Sequence, residues 1–154
     1  MLTVNMKELV KANIGGRGGK EAVLLPIFNE KLARVNESLY DCVDSQGQKY
    51  EFKKQQDLQW FDIAKYNNLT KEQKLINMVF IVHKKGKPCG IYSMKLGDML
   101  DFLCNNEKYA KDGWTPEVMR MGAVIKEIAP SVQLKAPLKI KKFVEAAGLK
   151  SLIY

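Results

Sequence analysis

Asp41, Glu51 and Lys53 could do chemistry together, because all three fall in one predicted β-hairpin. The hairpin covers residues 40–54, YDCVDSQGQKYEFKK, where apolar and polar residues alternate on both sides of a turn that contains Gly47. A three-residue loop with Gly47 in the left-handed conformation sets the register so that Asp41 lies directly opposite Glu51. Opposed carboxylates repel unless a cation lies between them or one of them is protonated. The pattern therefore indicates a site for a hard divalent cation, and Mg²⁺ fits it best.

Lys53 follows Glu51 by two positions, so both side chains project from the same face of the strand. A carboxylate pair that holds a metal, with an ammonium beside it, can position a water molecule and lower its pKa. It can also neutralise charge on a phosphoryl group under attack. The spacing alone is equally compatible with an ordinary hairpin, in which Asp41 and Glu51 face solvent and Lys53 pairs with one of them.

Composition places the chain among globular proteins and favours a polyanionic partner. The chain has 154 residues, 46% of them hydrophobic, which predicts one folded domain over residues 1–154 and excludes a disordered chain. Residues 1–36 are expected to form a helical N-terminal part that can contribute to a dimer contact. The 25 Lys and Arg residues exceed the 17 Asp and Glu residues, for a net charge of +8, and this excess favours nucleic acid as the partner.

Cysteine usage and hydropathy predict a cytoplasmic protein without a membrane segment. The three cysteines, Cys42, Cys89 and Cys104, are odd in number and lack C-x-x-C spacing. Cys42 and Cys89 lie in apolar strand patterns, where a free thiol acts as a small hydrophobe. No apolar run approaches 18 residues, and the N-terminus does not resemble a signal peptide.

The order of predicted elements indicates a mixed α/β domain with a central β-sheet flanked by helices. Strands are predicted at 39–44, 48–54, 78–83 and 89–95, and SLIY at the C-terminus is a candidate edge strand. Helices are predicted at 3–12, about 20–35, 70–77, 96–110, 115–129 and 138–147. Thr3 and Thr115 are the expected N-caps of two of them, and Pro26 is expected to bend the second helix.

The hairpin resembles the catalytic hairpin of PvuII-like type II restriction endonucleases, in the PD-(D/E)xK nuclease superfamily. Asp41 and the Glu51-Phe52-Lys53 triplet fit the signature, with Tyr40 in place of its Pro. Three further pieces are similar and occur in the same order: GGK at 18–20, IAKY at 63–66 and APLKIKKFVEAAG at 136–148.

The resemblance implies a restriction-endonuclease-like fold and a Mg²⁺-dependent homodimer that cuts both strands of double-stranded DNA. It also implies that Asp41 and Glu51 bind the metal and that Lys53 orients or activates water. Tyr66, in IAKY, is expected near the active site, where it can contact a metal-bound water or a phosphate. The interval of residues 54–62, KQQDLQWFD, is short and lacks the base-reading His residues of the family, so the family's target sequence does not transfer.

The glycine-rich stretch GGRGGK at residues 15–20 has two readings. Backbone N–H groups at Gly18, Gly19 and Lys20 could bind a phosphate at a helix N-terminus, or the stretch could simply link two helices. It lacks the G-K-[ST] ending of a nucleotide-binding loop, so no nucleotide cofactor is expected. Glu21, one position further on, is a candidate third metal ligand if its helix packs over the hairpin.

Amide side chains near the hairpin are the candidate base readers, because amides can pair with adenine edges and Lys with guanine. Trp60 and Phe61 are expected to be packing residues rather than base wedges. The lysines at 135, 139, 141 and 142 either face phosphate or form a solvated surface. The DNA-binding candidates after the hairpin are Lys54, Gln55, Gln56, Gln59, Tyr66, Asn67 and Asn68.

Two other functions remain open from the sequence. One is a structure-specific nuclease of the same superfamily, such as a junction resolvase or a nicking repair enzyme. The other is a basic, non-catalytic DNA-binding module whose carboxylates are only surface charges. Both share the charge excess and the hairpin, so composition does not separate them.

Overall fold

A computed structural model describes residues 2–15, 21–55 and 57–153 of the chain, without the side chains of Glu21 and Gln55. The α/β prediction is confirmed, because a mixed five-stranded sheet is flanked by helices. The strands are β1 Ala33–Arg34, β2 Cys42–Val43, β3 Lys49–Gln55, β4 Leu58–Asp62, β5 Asn77–Lys84, β6 Lys87–Lys95 and β7 Lys135–Lys139. The helices are α1 Met6–Lys11, α2 Glu21–Leu24, α3 Leu96–Cys104, α4 Glu107–Lys111, α5 Pro116–Ile128 and α6 Ile140–Ala146. Short 3₁₀ turns span Leu25–Ile27, Ile63–Tyr66 and Gln73–Leu75.

The five-stranded sheet has the order β1-β2-β3-β5-β6, and a separate two-stranded sheet pairs β4 with β7. All pairs are antiparallel except β3 with β5, which run parallel. The continuous apolar run of β5 was the reason to predict a strand buried on both faces, and its first six residues are indeed buried. β5 therefore sits between the hairpin strand β3 and the long strand β6.

Alternation along β5 divides the core into two faces of the sheet. On the front face, Met78, Phe80 and Val82 pack with the β4–β7 sheet and with aromatic residues that include Trp114. On the back face, Val79 and Ile81 pack with the N-terminal helices.

Strand β3 follows the same alternation. Tyr50 and Phe52 join the back-face core, so Glu51 and Lys53 project to the front. Two charged side chains thereby enter an otherwise apolar layer.

The long helix predicted at 20–35 is wrong. Helix α2 ends at Leu24, a 3₁₀ turn containing Pro26 follows, and Phe28 is extended and bridges Val4. Pro lacks a backbone N–H and clashes with the preceding turn, so the apolar spacing could not continue as an α-helix.

The first helix is also shorter than predicted, because it begins at Met6 behind an Asn5 cap. Thr3, the expected cap, instead donates its backbone N–H and its hydroxyl to Glu30. Because Thr3 is bound to Glu30, Asn5 caps the helix in its place and the helix begins at Met6.

The second half of the chain holds further differences. The helix predicted at 70–77 is only the 3₁₀ turn, and the one predicted at 96–110 is divided, with Asn106 capping α4. The strands β4 and β7 were not predicted, and β7 takes the first residues assigned to the last helix. The cap of α5 is confirmed, since Thr115 Oγ1 accepts the Val118 N–H at 3.1 Å. In the C-terminal SLIY, the described residues 151–153 form no strand, and Leu152 donates its N–H to the Ile91 carbonyl; Tyr154 lies outside the described residues.

The three cysteines occupy different environments. Cys42 is buried and Cys104 is intermediate, whereas Cys89 is exposed and does not act as the small core residue predicted. Within residues 2–15, 21–55 and 57–153, none of the helices has the length and apolar character needed to cross a membrane.

Candidate active site

The hairpin folds with the predicted register. Gly47 has φ +82°, the left-handed conformation that the turn requires, and Cys42 pairs with Tyr50. The side chain of Asp44 holds the turn, because its Oδ1 accepts the N–H groups of Gln46 and Gln48 at 2.9 Å. Its Oδ2 also accepts the Tyr50 hydroxyl at 2.9 Å. These contacts are local, so the turn fixes the geometry of the strands on either side.

Asp41 is held at the mouth of the hairpin by the strand that carries Glu51. Its N–H donates to the Tyr50 carbonyl at 2.7 Å, and its Oδ2 accepts the Phe52 N–H at 2.8 Å. Asp41 is therefore bonded to the residues on both sides of Glu51, through its backbone N–H to Tyr50 and through its carboxyl group to Phe52. This places the two acidic side chains next to each other, as the register predicted.

Glu51 is a buried carboxyl group, only 5% exposed. Its pKa is raised to about 7, chiefly by burial; the neighbouring Asp41 carboxyl also raises it, while Lys53 and Lys65 lower it. The Lys53 Nζ lies 3.3 Å from Glu51 Oε2 and the Lys65 Nζ lies 3.8 Å from the same oxygen. The alternative in which Glu51 faces solvent is therefore wrong.

Lys53 is fixed from two sides. The Glu51 carboxylate contacts its ammonium, and the ring of Phe61 lies 5.2 Å from the Nζ in a cation–π arrangement. Phe61 is itself buried against Trp114, with ring centroids 5.3 Å apart. The Lys53 ammonium is thus positioned against buried, closely packed aromatic rings.

Lys65 is a site residue that the spacing of the hairpin does not reveal. The 3₁₀ turn Ile63–Tyr66 brings it to Glu51, and its side chain is only 23% exposed. Burial lowers its pKa, and Lys53 lowers it further. Its place in IAKY is the only signal in the sequence, and that signal is a resemblance rather than a pattern of charge.

The turn that carries Lys65 is anchored by Tyr66 and α5. Tyr66 is buried and stacks on Trp114, with centroids 6.2 Å apart, and burial raises its pKa together with the charges of Glu51 and Asp62. On α5, a Cβ at Gly122 would lie 3.3 Å from the Ala64 Cβ, so the helix approaches the turn closely. The expected position of Tyr66 beside the site is consistent with this packing.

Asp62 forms a second, partly buried ion pair behind the site. Its Oδ2 pairs with the Lys126 Nζ of α5, while its Oδ1 is buried without a hydrogen-bond partner among the described residues. The charge of Asp62 raises the pKa of Lys65, opposing the effect of burial. Acidic and basic groups therefore follow one another from the hairpin to α5: Glu51, Lys65, Asp62 and Lys126.

The donor set of the site suits a small divalent cation. Mg²⁺ typically takes one or two protein carboxylates and completes its shell with water and phosphate oxygens. Asp41 and Glu51 supply two such carboxylates on neighbouring strands. In the described ranges no cluster of three or more His, Cys, Asp or Glu side chains could hold a metal. The proposed third ligand, the Glu21 side chain, lies outside the described residues.

The predicted DNA-binding residues do not form one surface. Lys54 points to the back face, where its Nζ donates to the Ile14 carbonyl, so its assignment to DNA binding is corrected to a structural contact. Strand alternation is the reason, because Lys54 and Lys53 are consecutive. Gln59 is half-buried on β4. Gly18, Gly19, Lys20, Gln56 and the Gln55 side chain lie outside the described residues.

Asn67 and Asn68 lie apart from the hairpin, in a groove of about 720 Å³ that begins at Tyr66. Lys74 and Arg120 also line this groove. The two amides therefore share a surface with basic side chains.

We expect the metal-free protein to become less stable as pH rises from about 4.5 to 7. The pKa of Glu51 is about 7 in the folded chain against 4.5 for an ordinary Glu, so in this window the folded state binds more protons than the unfolded state. Stability then falls with rising pH, by about 3 kcal/mol across the window. Urea unfolding in EDTA at a series of pH values measures this free energy of unfolding. Glu51→Gln stays neutral and should flatten the slope; the same slope in both proteins would contradict the assignment.

Comparison with known proteins does not place the chain in a family. The sequence matches no protein-family model and no curated protein. The function is therefore argued from the geometry of the site and from the resemblance of the hairpin.

Proposed function

We propose that this protein is a Mg²⁺-dependent type II restriction endonuclease with the PD-(D/E)xK fold, which hydrolyses phosphodiester bonds in both strands of a specific double-stranded DNA sequence. The observation that carries the proposal is the front-face cluster of Asp41, Glu51 and Lys53, in which Glu51 is buried and the other two are partly buried. Their order, strand positions and mutual contacts agree with the signature that the sequence resembles. A surface hairpin of unrelated function has no need to bury Glu51 between two lysines.

Asp41 and Glu51 are the residues that would hold the metal. When bound, Mg²⁺ polarises phosphoryl oxygens and lowers the pKa of a coordinated water. Glu51 must be ionised to bind it, and the lysines beside it favour the ionised form.

The two ammonium groups have separate tasks in the proposed reaction. Lys53, held between Glu51 and the Phe61 ring, donates to the attacking water and orients it toward phosphorus. Lys65 lies on the same carboxylate oxygen and neutralises negative charge that builds on the phosphoryl group. Because both ammoniums are preorganised by burial, little rearrangement is needed when the phosphate arrives.

DNA as the substrate is supported by the net charge of +8 and by the polar and basic side chains that line the groove beginning at Tyr66. We propose Asn67 and Asn68 as base readers, with Arg120 from the same groove. Amides pair with adenine and Arg with guanine in the major groove. Gln59 is proposed as a further reader from β4.

A homodimer is part of the proposal, because two strands require two sites. The N-terminal part retains an exposed apolar pair one helical turn apart, Met6 and Val10 on α1. Met121, Val124 and Ile128 form a second exposed apolar row on α5. Both rows offer apolar surface that association could bury.

Plasmid digestion with Mg²⁺ tests the proposed function against its two alternatives. We expect discrete fragments, because a site-specific enzyme cuts at fixed positions. Cleavage restricted to branched or mismatched DNA would instead assign the structure-specific nuclease. Binding without any cleavage, at several divalent ions and pH values, would assign the non-catalytic module and overturn the proposal.

A further inference from the structure

A cavity of about 410 Å³ lies on the outer side of the β4–β7 sheet, opposite the active site. Phe61 points inward to Lys53, so the preceding residue, Trp60, points outward by strand alternation. Trp60 pairs with Pro137 across the sheet, and both line the cavity. The volume is within the range of about 300–1,000 Å³ found for small-ligand pockets.

Trp60 provides the cavity with an accessible aromatic surface. It is 54% exposed, whereas Trp114, the other tryptophan of the chain, is completely buried. The expectation that Trp60 is a packing residue is therefore wrong, while the same expectation holds for Phe61. A single exposed aromatic is common on protein surfaces, so its surroundings decide whether it has a role.

The surroundings of Trp60 are basic. Lys108 from α4, Lys139 from β7 and Lys142 from α6 line the cavity, against one carboxylate, that of Asp112. These lysines come from three different elements, so the fold gathers them around the indole. An aromatic face with several lysines beside it is the combination that binds unpaired nucleic-acid bases and their phosphates.

We propose that this cavity binds a single-stranded DNA segment, with an unpaired base stacked on Trp60 and its phosphates held by Lys108, Lys139 and Lys142. A base inside a duplex is already stacked on its neighbours, so only an unpaired base can use the indole. The binding goes beyond the proposed cleavage, because it needs neither Asp41 nor Glu51.

The position of the cavity suggests a use that does rest on the proposed function. Trp60 and Phe61 are consecutive residues on β4, and Phe61 contacts the catalytic Lys53. The active site and the cavity therefore lie on opposite sides of the single strand β4. A DNA strand leaving the active site can reach the cavity by passing over β4. The segment this favours is a strand of the duplex that has separated from its complement next to the cleaved bond.

Tryptophan fluorescence tests the proposal directly, because Trp60 is the accessible one of two indoles. An oligothymidylate of about eight nucleotides, titrated in EDTA, should quench the emission with saturation. Trp60→Ala should abolish the quenching and weaken binding about tenfold, whereas Trp60→Phe should retain most of the affinity, measured by anisotropy of a labelled oligonucleotide. Because EDTA prevents cleavage, the result is independent of whether the protein is a nuclease.

Lys142 has a matched control in its neighbour Lys141, which is also exposed but does not line the cavity. Lys142→Gln should weaken binding and reduce the salt dependence by about one ion, while Lys141→Gln should change neither. The absence of saturable quenching, or equal effects of the two lysine substitutions, would overturn the proposal. Quenching by a polyglutamate peptide but not by the oligonucleotide would assign an acidic protein segment instead and equally overturn it.

Discussion

Glu51→Gln is expected to lower the single-turnover rate of DNA cleavage by roughly four orders of magnitude, the size seen when a central catalytic group is removed. The amide keeps the shape of the side chain but cannot carry the negative charge that the metal requires. Specific DNA binding in Ca²⁺ should change little, since the Glu51 side chain is buried and leaves little surface for direct contact with a duplex. Rapid-quench cleavage with Mg²⁺ and binding with Ca²⁺ measure the two effects separately.

Asp41→Asn should have a comparable effect on cleavage, and it is a better test than Asp41→Ala. Repulsion between opposed carboxylates predicts that removing one of them stabilises the hairpin. The Phe52 N–H, however, donates to Asp41 Oδ2, and alanine would leave that donor unpaired at a cost of about 1–3 kcal/mol. Asparagine retains an acceptor.

Glu37→Gln, which neutralises an exposed carboxylate beside the hairpin, is the matched control and should cleave normally. Near wild-type cleavage by Asp41→Asn or Glu51→Gln would refute the active-site assignment.

Lys53→Ala should reduce the cleavage rate about a thousandfold, and Lys65→Ala about a hundredfold. Both ammoniums contact Glu51, but only Lys53 shares its strand and also contacts the Phe61 ring. Single-turnover kinetics at saturating enzyme measure the chemical step. Lys54→Ala is the control, since its side chain contacts Ile14 on the back face; it should lower stability and leave the rate unchanged.

A second measurement separates a role for Lys65 at the site from a merely structural one. Lys65 lowers the pKa of Glu51, so its removal should move the fall in stability of the metal-free protein to higher pH. An unchanged pH profile in Lys65→Ala would contradict the contact with Glu51. Equal kinetic losses in Lys53→Ala and Lys54→Ala would mean that the strand register is wrong.

The hairpin was predictable because its determinants are local. Gly47 supplies the left-handed turn, Asp44 binds the turn through its own neighbours, and the alternation places Glu51 and Lys53 on one face. The strand pair closes over about ten residues of sequence, so turn chemistry and periodicity suffice to fix its register. The buried run of β5 was predictable for a similar reason, since unbroken apolar sequence of that length indicates a central strand.

The features that failed depend on partners distant in sequence. Apolar spacing across residues 20–35 resembles a helix, yet Pro26 and the pairing of Phe28 with Val4 end it early. The β4–β7 sheet joins Leu58–Asp62 to Lys135–Lys139, and the Pro in β7 weakens any strand signal from propensity alone. Residues 135–139 therefore form a strand only because the tertiary fold brings them beside β4.

The sequence by itself determined that Asp41, Glu51 and Lys53 lie together on one face of the hairpin, because the register of a hairpin is set by its own turn and strands. Tertiary structure alone decided that Glu51 is buried, that Lys65 meets it and that Trp60 remains exposed beside three lysines. Burial and charge proximity depend on which elements pack together, and that packing follows from the whole apolar surface rather than from any short segment. The pKa of Glu51, and with it the chemistry of the site, belongs to this second group.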